Sequence, residues 1–203
     1  MKNHSNQPTT DAWPKLDKPA LVGRHMRFNI GVSSRLVVEA AQRQFEYSAT
    51  EDKDSSANTI ENMLEKAIAI AAKAHAGQVD KGGAPYILHP LRVMMAVKRI
   101  DEKIVAMLHD VVEDSAITLQ DLAREGFSIK ILTAIESVTK QENESRFDAA
   151  HRAAKNKIGR VVKIADNEDN SDITRIPNPT EQDYARIREY MEVRKILENS
   201  VPQ

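Results

Sequence analysis

The sequence predicts an all-α fold, a helical bundle built around a single metal site. Apolar residues recur at helical spacing through most of the chain after residue 57, and no segment alternates between apolar and polar residues long enough to form a sheet. Two apolar runs, VAMLHDVVEDSAITL and VVKIADNEDNSDI, also carry ionisable side chains. Carboxylates and imidazoles are costly to bury unless something compensates them, and a metal ion is the simplest compensation.

The composition excludes several classes of function. The 203 residues include 29 basic and 30 acidic side chains, so the net charge of -1 gives no electrostatic case for binding nucleic acid or an anionic membrane. The absence of cysteine leaves His, Asp and Glu as metal ligands, a set that suits Mn²⁺, Mg²⁺, Fe²⁺ or Zn²⁺. No run is long enough to span a membrane, and residues 1–18 lack the apolar core of a secretion signal. We therefore expect a cytoplasmic protein.

The chain divides into two predicted regions. Residues 1–57 form an N-terminal extension that we expect to be largely flexible, with a possible short amphipathic helix at 34–45. Residues 58–200 form the compact domain. Its first helix is predicted from Ile60 to Ala76, with Thr59 as the N-cap and Gly77 as the stop. His75 falls on the core face of this helix, where a hydrogen-bonded core histidine is more common than a metal ligand.

Caps and breaks predict the later helices. Pro90 fits the first turn of a helix that runs to about Arg99, which places His89 at the helix entrance. Asp101 is expected to cap a central helix that ends near Ser115. Thr118 and Asp121 resemble a capping box that begins a short helix, and Thr180 and Asp183 cap a final helix that runs to about Leu197. Between them, helices are predicted over residues 129–139, through residue 151 and up to Asp166.

The central helix carries a cluster of four ionisable residues. In a continuous helix His109, Asp110, Glu113 and Asp114 would lie along one side, three or four residues apart. A solvated face of an ordinary amphipathic helix is the alternative interpretation. The wider pattern favours a metal site, because His89 and Asp166 bring one further histidine and one further carboxylate from two other helices.

A set of two histidines and two carboxylates would leave coordination positions for water and substrate, which suits hydrolysis of a phosphate ester. Glu113 and Asp114 lie about one helical turn beyond His109 and Asp110, roughly 5 Å along the axis. They are therefore better placed to orient or deprotonate water than to bind the metal.

Three segments carry a family resemblance. The sequences PYILHP, LHDVVEDS and VKIADNEDN resemble those of the HD-domain hydrolases of the RelA/SpoT type, over about residues 60–198. Because no synthetase domain follows, the sequence is expected to be a stand-alone small alarmone hydrolase, similar to the metazoan SpoT homologue. The resemblance implies an all-helical HD domain that uses Mn²⁺ to remove the 3′-pyrophosphate from (p)ppGpp, giving GDP or GTP and pyrophosphate.

The resemblance also implies roles for individual residues. The implied metal ligands are His89, His109, Asp110 and Asp166, the catalytic acidic pair is Glu113 and Asp114, and the substrate-binding residues are Lys81, Asn170, Arg186 and Tyr190. His75 and Gln78 fall in the AH-x-GQ signature of the family, which we interpret as structural support.

The sequence departs from the family pattern near the expected nucleoside pocket. Asp80 stands where guanosine-specific relatives usually carry an arginine that packs on the base, and Ser171 and Asp172 replace a usual Met-Arg pair. A carboxylate at these positions could favour the amino group of adenine, or could lie at a solvated rim. The open alternatives are therefore a hydrolase of adenosine alarmones such as ppApp, a phosphatase acting on the 2′-phosphate of NADPH, and a nucleotide-binding module without catalysis.

Overall fold

The computed structural model describes residues 56–200, so the predicted extension, apart from residues 56 and 57, and its helix at 34–45 lie outside the described residues. Within that range the protein consists of α-helices and one short 3₁₀ helix without strands, which confirms the all-α prediction. The helices are α1 (Ser56–Ala74), α2 (Leu88–Ala96), α3 (Ile100–Leu108), α4 (Val111–Asp114), α5 (Leu119–Arg124), α6 (Ile129–Val138), α7 (Arg146–Ala154), α8 (Lys157–Asn170), the 3₁₀ helix Ile173–Arg175 and α9 (Glu181–Asn199).

Helix α3 lies at the centre of the bundle. It packs against α1, α2, α6 and α8, and every residue from 104 to 108 is buried. The apolar run VAMLHDVVEDSAITL begins in this helix, and its residues before His109 are buried, as an apolar run predicts. Since a helix surrounded by neighbours cannot shift without disturbing the whole core, the residues that follow its last turn are held in fixed positions.

The central helix is shorter than predicted. It ends at Leu108, and a separate single turn, α4, follows His109 and Asp110. The prediction of one helix to Ser115 is therefore wrong, although the Asp114 N–H still bonds the carbonyl of Asp110 at 2.8 Å. The ionisable residues thus follow the end of a buried helix instead of lining one continuous face.

Two predicted N-caps are also wrong. Helix α1 already begins at Ser56, so Thr59 lies inside it. At α3 the cap position is Arg99, and the carboxylate of Glu102 accepts the backbone N–H groups of Lys98 (3.2 Å) and Arg99 (2.9 Å). Asp101 instead pairs with the ammonium of Lys130 on α6 at 2.6 Å, because its side chain points across to that helix.

Both predicted capping boxes are confirmed. Thr118 and Asp121 exchange hydrogen bonds at the start of α5, and Thr180 and Asp183 do the same at the start of α9. The predicted stop at Gly77 fits the structure as well, since this residue has a positive φ of 79° just after α1. No helix among residues 56–200 combines the length and the apolar character that crossing a membrane requires.

Two glycines mark close approaches that position functional segments. A β-carbon on Gly159 would collide with the buried hydroxyl of Ser137, so this glycine lets α8 cross close to α6. A β-carbon on Gly82 would collide with the carbonyl oxygen of Arg175. The 77–87 loop therefore lies directly against the 3₁₀ helix that follows α8.

Candidate active site

Four side chains from three segments of the chain meet at one point. The Nε2 atoms of His89 and His109 are 3.2 Å apart. Asp110 Oδ2 lies 3.4 Å from His89 Nε2 and 3.1 Å from His109 Nε2. Asp166 lies on α8, and its Oδ1 is 3.3 Å from His89 Nε2 and 3.6 Å from His109 Nε2. These are the four residues that the sequence predicted as metal ligands, and the structure brings them together.

Hydrogen bonds on the far side of each imidazole fix which nitrogen faces the cluster. His109 Nδ1 lies 2.7 Å from the backbone oxygen of Ala106, which can only accept, so Nδ1 carries the proton. His89 Nδ1 lies 2.7 Å from Asp169 Oδ2 and donates to it in the same way. In the neutral tautomers both Nε2 atoms therefore direct a lone pair into the cluster.

The spacing fits a divalent cation. Metal bonds to imidazole nitrogen and carboxylate oxygen are about 2.0–2.2 Å long, which places neighbouring ligand atoms about 3.0–3.6 Å apart. Ligand atoms of His89, His109 and Asp110 lie within 4.8 Å of one another, and Asp166 adjoins both imidazoles. Electron-pair donors that face one another at this distance repel unless a positive charge lies between them, so the residues present suit a metal ion.

The charges of the cluster depend strongly on one another. Burial opposes the charged form of each histidine, but the neighbouring carboxylates, Asp110 first, outweigh it and raise the pKa of His89 to about 11 and that of His109 to about 9. Burial likewise opposes ionisation of Asp166, yet Lys163 and the two imidazoles hold its pKa well below the usual range. The site therefore keeps its carboxylates ionised and attracts either protons or a cation.

Sequence reasoning missed a layer of charged residues behind the ligands. Asp169 accepts the hydrogen bond from His89 Nδ1 and also pairs with Arg92 (Nε to Oδ1, 2.6 Å) and Arg175 (Nη2 to Oδ2, 3.2 Å). Helical spacing was the available signal, since Asp169 follows Asp166 by three residues on α8 and Arg92 follows His89 by three on α2. This network holds the His89 ring in its orientation.

Two further residues support the carboxylate ligands. Lys163 Nζ lies 2.9 Å from Asp166 Oδ2, the oxygen that does not face the imidazoles. Tyr86, in the 77–87 loop, donates its hydroxyl to Asp110 Oδ2 at 2.6 Å. Burial, reinforced by the charge of Asp110, raises the pKa of Tyr86 far above its usual value, so the phenol keeps its proton and remains a donor. Neither residue was predicted.

The predicted acidic pair lies at the rim of the cluster. Glu113 and Asp114 are exposed on α4, the turn after Asp110. The Lys140 backbone N–H donates to Glu113 Oε2 at 3.0 Å, which fixes one oxygen of that carboxylate. Partial burial and the charges of Asp110 and Glu113 raise the pKa of Asp114. Both carboxylates thus lie on the turn that directly follows Asp110, at the rim of the cluster.

The predicted substrate-binding residues differ in whether they contact the cluster. Asn170 donates its amide to Asp166 Oδ1 at 2.5 Å, so it contacts a ligand directly. Lys81 is exposed on the 77–87 loop. On α9, Arg186 Nη1 lies 3.3 Å from Asp183 Oδ1. The ring of Tyr190, on the same helix, lies 4.7 Å from the guanidinium carbon of Arg146. Within residues 56–200, no hydrogen bond or ion pair joins Lys81, Arg186 or Tyr190 to the four-residue cluster.

The two acidic departures from the family pattern have structural roles. Asp80 Oδ1 accepts the backbone N–H groups of Gly82 and Ala84, both at 2.9 Å, and Oδ2 lies 3.2 Å from Arg175 Nη1. Asp172 Oδ1 accepts the N–H and hydroxyl of Thr174. Both oxygens of the Asp80 carboxylate thus have partners within the protein, so no contact in the structure supports either interpretation offered for this residue.

The AH-x-GQ segment gives the structural support expected of it. His75 is buried, and its Nδ1 lies 2.9 Å from Gln78 Oε1. Gln78 Nε2 in turn donates to the carbonyl of Asp114 at 3.2 Å. These contacts tie the end of α1 to the end of α4 and so help to position the acidic pair.

Comparison with known proteins identifies the domain that carries this cluster. Residues 67–165 match a family model described as an HD domain, a range that includes His89, His109 and Asp110 and ends one residue before Asp166. The chain contains an HD domain. This HD domain is homologous to those of SpoT/RelA-type proteins.

Two curated relatives are named guanosine-3′,5′-bis(diphosphate) 3′-pyrophosphohydrolase. The protein from Borreliella burgdorferi is 40% identical over 79 residues, which cover 37% of this chain and 12% of the relative. The protein from Spiroplasma citri is 36% identical over 118 residues, which cover 51% of this chain and 16% of the relative. The matched segments thus span less than a fifth of either relative.

The fold of the HD domain is also seen in a solved structure. A metazoan ortholog of SpoT, described as hydrolysing ppGpp and playing a role in starvation responses, aligns with a TM-score of 0.59 and 21% sequence identity. The alignment covers 68% of this chain and 86% of that protein. At this level of identity the likeness establishes a shared helical architecture.

Proposed function

We propose that this HD domain is a metal-dependent hydrolase that removes the 3′-pyrophosphate from guanosine alarmones, converting (p)ppGpp to GDP or GTP and pyrophosphate. The observation that carries the proposal is that ligand atoms of His89, His109 and Asp110 converge at metal-ligand spacing, with Asp166 Oδ1 3.3 Å from His89 Nε2. The acidic pair lies beside them, and the pKa of Asp114 is raised. Two relatives that share the domain are named for this reaction, which supports the choice of substrate class.

The proposed metal ligands are His89, His109, Asp110 and Asp166, and the proposed ion is Mn²⁺. Two nitrogens and two carboxylate oxygens suit a hard-to-borderline cation, and the chain has no thiolate that would select zinc. Such an ion supplies a Lewis acid for a phosphoryl oxygen and lowers the pKa of a nearby water molecule.

The protein's own groups would manage the protons. In the proposed reaction water adds to the phosphorus on the ribose 3′ oxygen, the bond from phosphorus to that oxygen breaks, and the nucleotide leaves with a 3′-hydroxyl. Asp114, whose pKa is raised, is suited to take a proton from the water and to pass it to the leaving 3′ oxygen. Glu113, fixed by the Lys140 N–H, is suited to orient the water.

We propose that Lys81, Arg186 and Tyr190 bind the substrate outside the metal cluster, and that Asn170 contacts the nucleotide beside Asp166. Lys81 is exposed on the 77–87 loop, whose glycines allow close approach of an anion. Arg186 and Tyr190 lie one turn apart on α9, where a guanidinium and an aromatic ring can meet phosphate and base.

Guanine and adenine remain the two candidate bases. An adenine preference through Asp80 has lost its support, because the Asp80 carboxylate closes its own loop and pairs with Arg175. The same cluster would also serve a 2′-phosphatase acting on NADPH, since the water attack is the same for any ribose-linked phosphate. A purely nucleotide-binding role is disfavoured by the retention of Glu113 and Asp114 next to the four ligands.

A substrate panel tests the proposal. The Mn²⁺-loaded protein is incubated with ppGpp, ppApp and NADPH, and released pyrophosphate and orthophosphate are quantified separately. We expect pyrophosphate from ppGpp at the highest rate. Release of orthophosphate from NADPH as the fastest reaction would replace the proposal with the phosphatase, and no turnover of any substrate would favour a binding module.

Removing the metal gives the first prediction. We expect chelation to abolish hydrolysis and added divalent ions to restore it, with Mn²⁺ more effective than Mg²⁺ or Zn²⁺ because of the mixed nitrogen and oxygen ligand set. The measurement is the initial rate after chelator treatment and dialysis against each ion. Full activity of metal-free protein would rule out the proposed mechanism.

A further inference from the structure

We propose that Tyr86 is a positioning residue that aims one oxygen of Asp110 at the metal. Its hydroxyl lies 2.6 Å from Asp110 Oδ2, and that same oxygen is the one facing His89 Nε2 (3.4 Å) and His109 Nε2 (3.1 Å). A carboxylate oxygen has two acceptor directions. With one of them occupied by Tyr86, the other is left for a cation in the cluster. The inference rests on the metal site of the proposed function.

The surroundings of Tyr86 fix its ring. The centroid of the ring lies 4.9 Å from that of buried His75 and 5.6 Å from that of His89. Aromatic pairs at such distances pack in preferred tilted arrangements. Tyr86 therefore cannot swing away from Asp110 without displacing a metal ligand or a core histidine.

Hydrogen bonds within the 77–87 loop fix the backbone of Tyr86. The Tyr86 N–H donates to the carbonyl of Gln78 at 3.0 Å, and the Asp80 N–H donates to the carbonyl of Ala84 at 2.8 Å. Val79 and Pro85 form an isolated antiparallel bridge between the two sides of the loop. The loop thus presents the phenol at a fixed point, which is the requirement for orienting a ligand.

Asp110 has a particular need for such support. It follows the last turn of α3, where the continuous helix is interrupted, and its φ and ψ are −98° and −9°. Asp166, by contrast, lies inside α8 and has Lys163 and Asn170 as partners. Among the residues that the structure describes, Tyr86 is the hydrogen-bond donor that reaches Asp110 from outside the metal cluster.

The test compares Tyr86→Phe with Tyr184→Phe, a control that removes the hydroxyl of an exposed tyrosine on α9. Mn²⁺ affinity is measured by calorimetry on chelator-treated full-length protein, without substrate, together with the visible absorption of the Co²⁺ form. We expect Tyr86→Phe to bind Mn²⁺ about 10- to 100-fold more weakly, the usual effect of losing a partner of a metal ligand. Its Co²⁺ spectrum should change, whereas Tyr184→Phe should match the wild type in both measurements.

The outcomes separate this inference from the function on which it rests. Phenylalanine keeps the ring between His75 and His89, so a Tyr86→Phe protein with wild-type affinity and spectrum would show that Tyr86 only fills space and would overturn the inference. A wild-type protein that binds no Mn²⁺ would overturn the metal site itself. A weaker affinity in both tyrosine variants would overturn the inference as well, because it would show a general effect of the substitution.

Discussion

At the residue scale, hydrogen bonds on the outer side of the two histidines prepare the site for a cation. The Ala106 carbonyl and the Asp169 carboxylate each accept a hydrogen bond from an Nδ1–H, so the Nε2 lone pairs of His109 and His89 converge. The sequence identified both histidines from their spacing and surroundings. It did not identify Asp169, because that residue comes from α8, eighty positions after His89, and the pairing exists only in the folded chain.

Substitution of Glu113 separates metal binding from proton transfer. We expect Glu113→Ala to keep its metal, since the Glu113 side chain lies at the rim and accepts the Lys140 N–H. We expect its kcat to fall by about 10²- to 10⁴-fold, the usual contribution of a positioned acid or base. Metal content and kcat are measured on the same preparation, with exposed Glu142→Ala as the control. Loss of metal from Glu113→Ala would place this residue among the ligands.

Asp80 gives a prediction about stability. Asp80→Ala leaves the N–H groups of Gly82 and Ala84 and the Nη1 group of Arg175 without their acceptor. We expect the free energy of unfolding to fall by about 1–3 kcal/mol, and by less in Asp80→Asn, whose amide oxygen can still accept the two backbone donors. Urea denaturation of both variants provides the measurement. Wild-type stability of Asp80→Ala would contradict the structural role assigned to this carboxylate.

At the element scale, the sequence predicted helices better than it predicted their ends. The apolar periodicity of residues 104–108 and the capping boxes at Thr118 and Thr180 are local signals, and the structure agrees with each. At the break after Leu108, His109 and Asp110 contact His89 and Tyr86 from other parts of the chain, and local periodicity does not report such contacts. The cap by Glu102 depends likewise on the path by which the chain enters α3.

The crossing of α6 and α8 can be tested at Gly159. A β-carbon there collides with Ser137 Oγ, which is buried and donates to the Ala134 carbonyl at 2.7 Å, so the hydroxyl cannot turn away without losing that bond. We expect Gly159→Ala to destabilise the protein by about 1–3 kcal/mol, the usual cost of overpacking. The free energy of unfolding is measured by denaturation.

A second substitution at the same crossing checks the cause. Ser137→Ala removes the colliding oxygen. We therefore expect Gly159→Ala to lower the free energy of unfolding by less when it is introduced into Ser137→Ala than when it is introduced into the wild type. If Gly159→Ala lowers the free energy of unfolding equally with serine and with alanine at position 137, the collision with the Ser137 hydroxyl is not the cause of the loss.

At the scale of the whole molecule, one bundle holds both the core and the site. The buried apolar cluster extends from Ala67 to Leu197, and the residues assigned to the proposed site lie between Lys81 and Tyr190. The order of helices around α3 brings α2, the α3–α4 junction and α8 to one point. That three-way meeting could be inferred from sequence only as a hypothesis, since it depends on how the helices pack.

This arrangement predicts the effect of truncation. A protein that lacks residues 1–55 should retain its helix content and its rate of hydrolysis, because the described residues supply every side chain assigned to the site. Circular dichroism and the initial rate, compared with the full chain, provide the measurement. A truncated protein that fails to fold would show that the first 55 residues pack on the bundle.

Metal stoichiometry tests most directly whether the cluster of His89, His109, Asp110 and Asp166 is the metal centre. Equilibrium dialysis against Mn²⁺ is carried out on wild type, Asp110→Ala, Asp166→Ala and the control Asp148→Ala, which removes an exposed carboxylate on α7. We predict one tightly bound ion per chain in the wild type and in the control, and none in the two cluster variants. Tight binding of Mn²⁺ by Asp110→Ala or Asp166→Ala, or none by the wild type, would contradict the assignment.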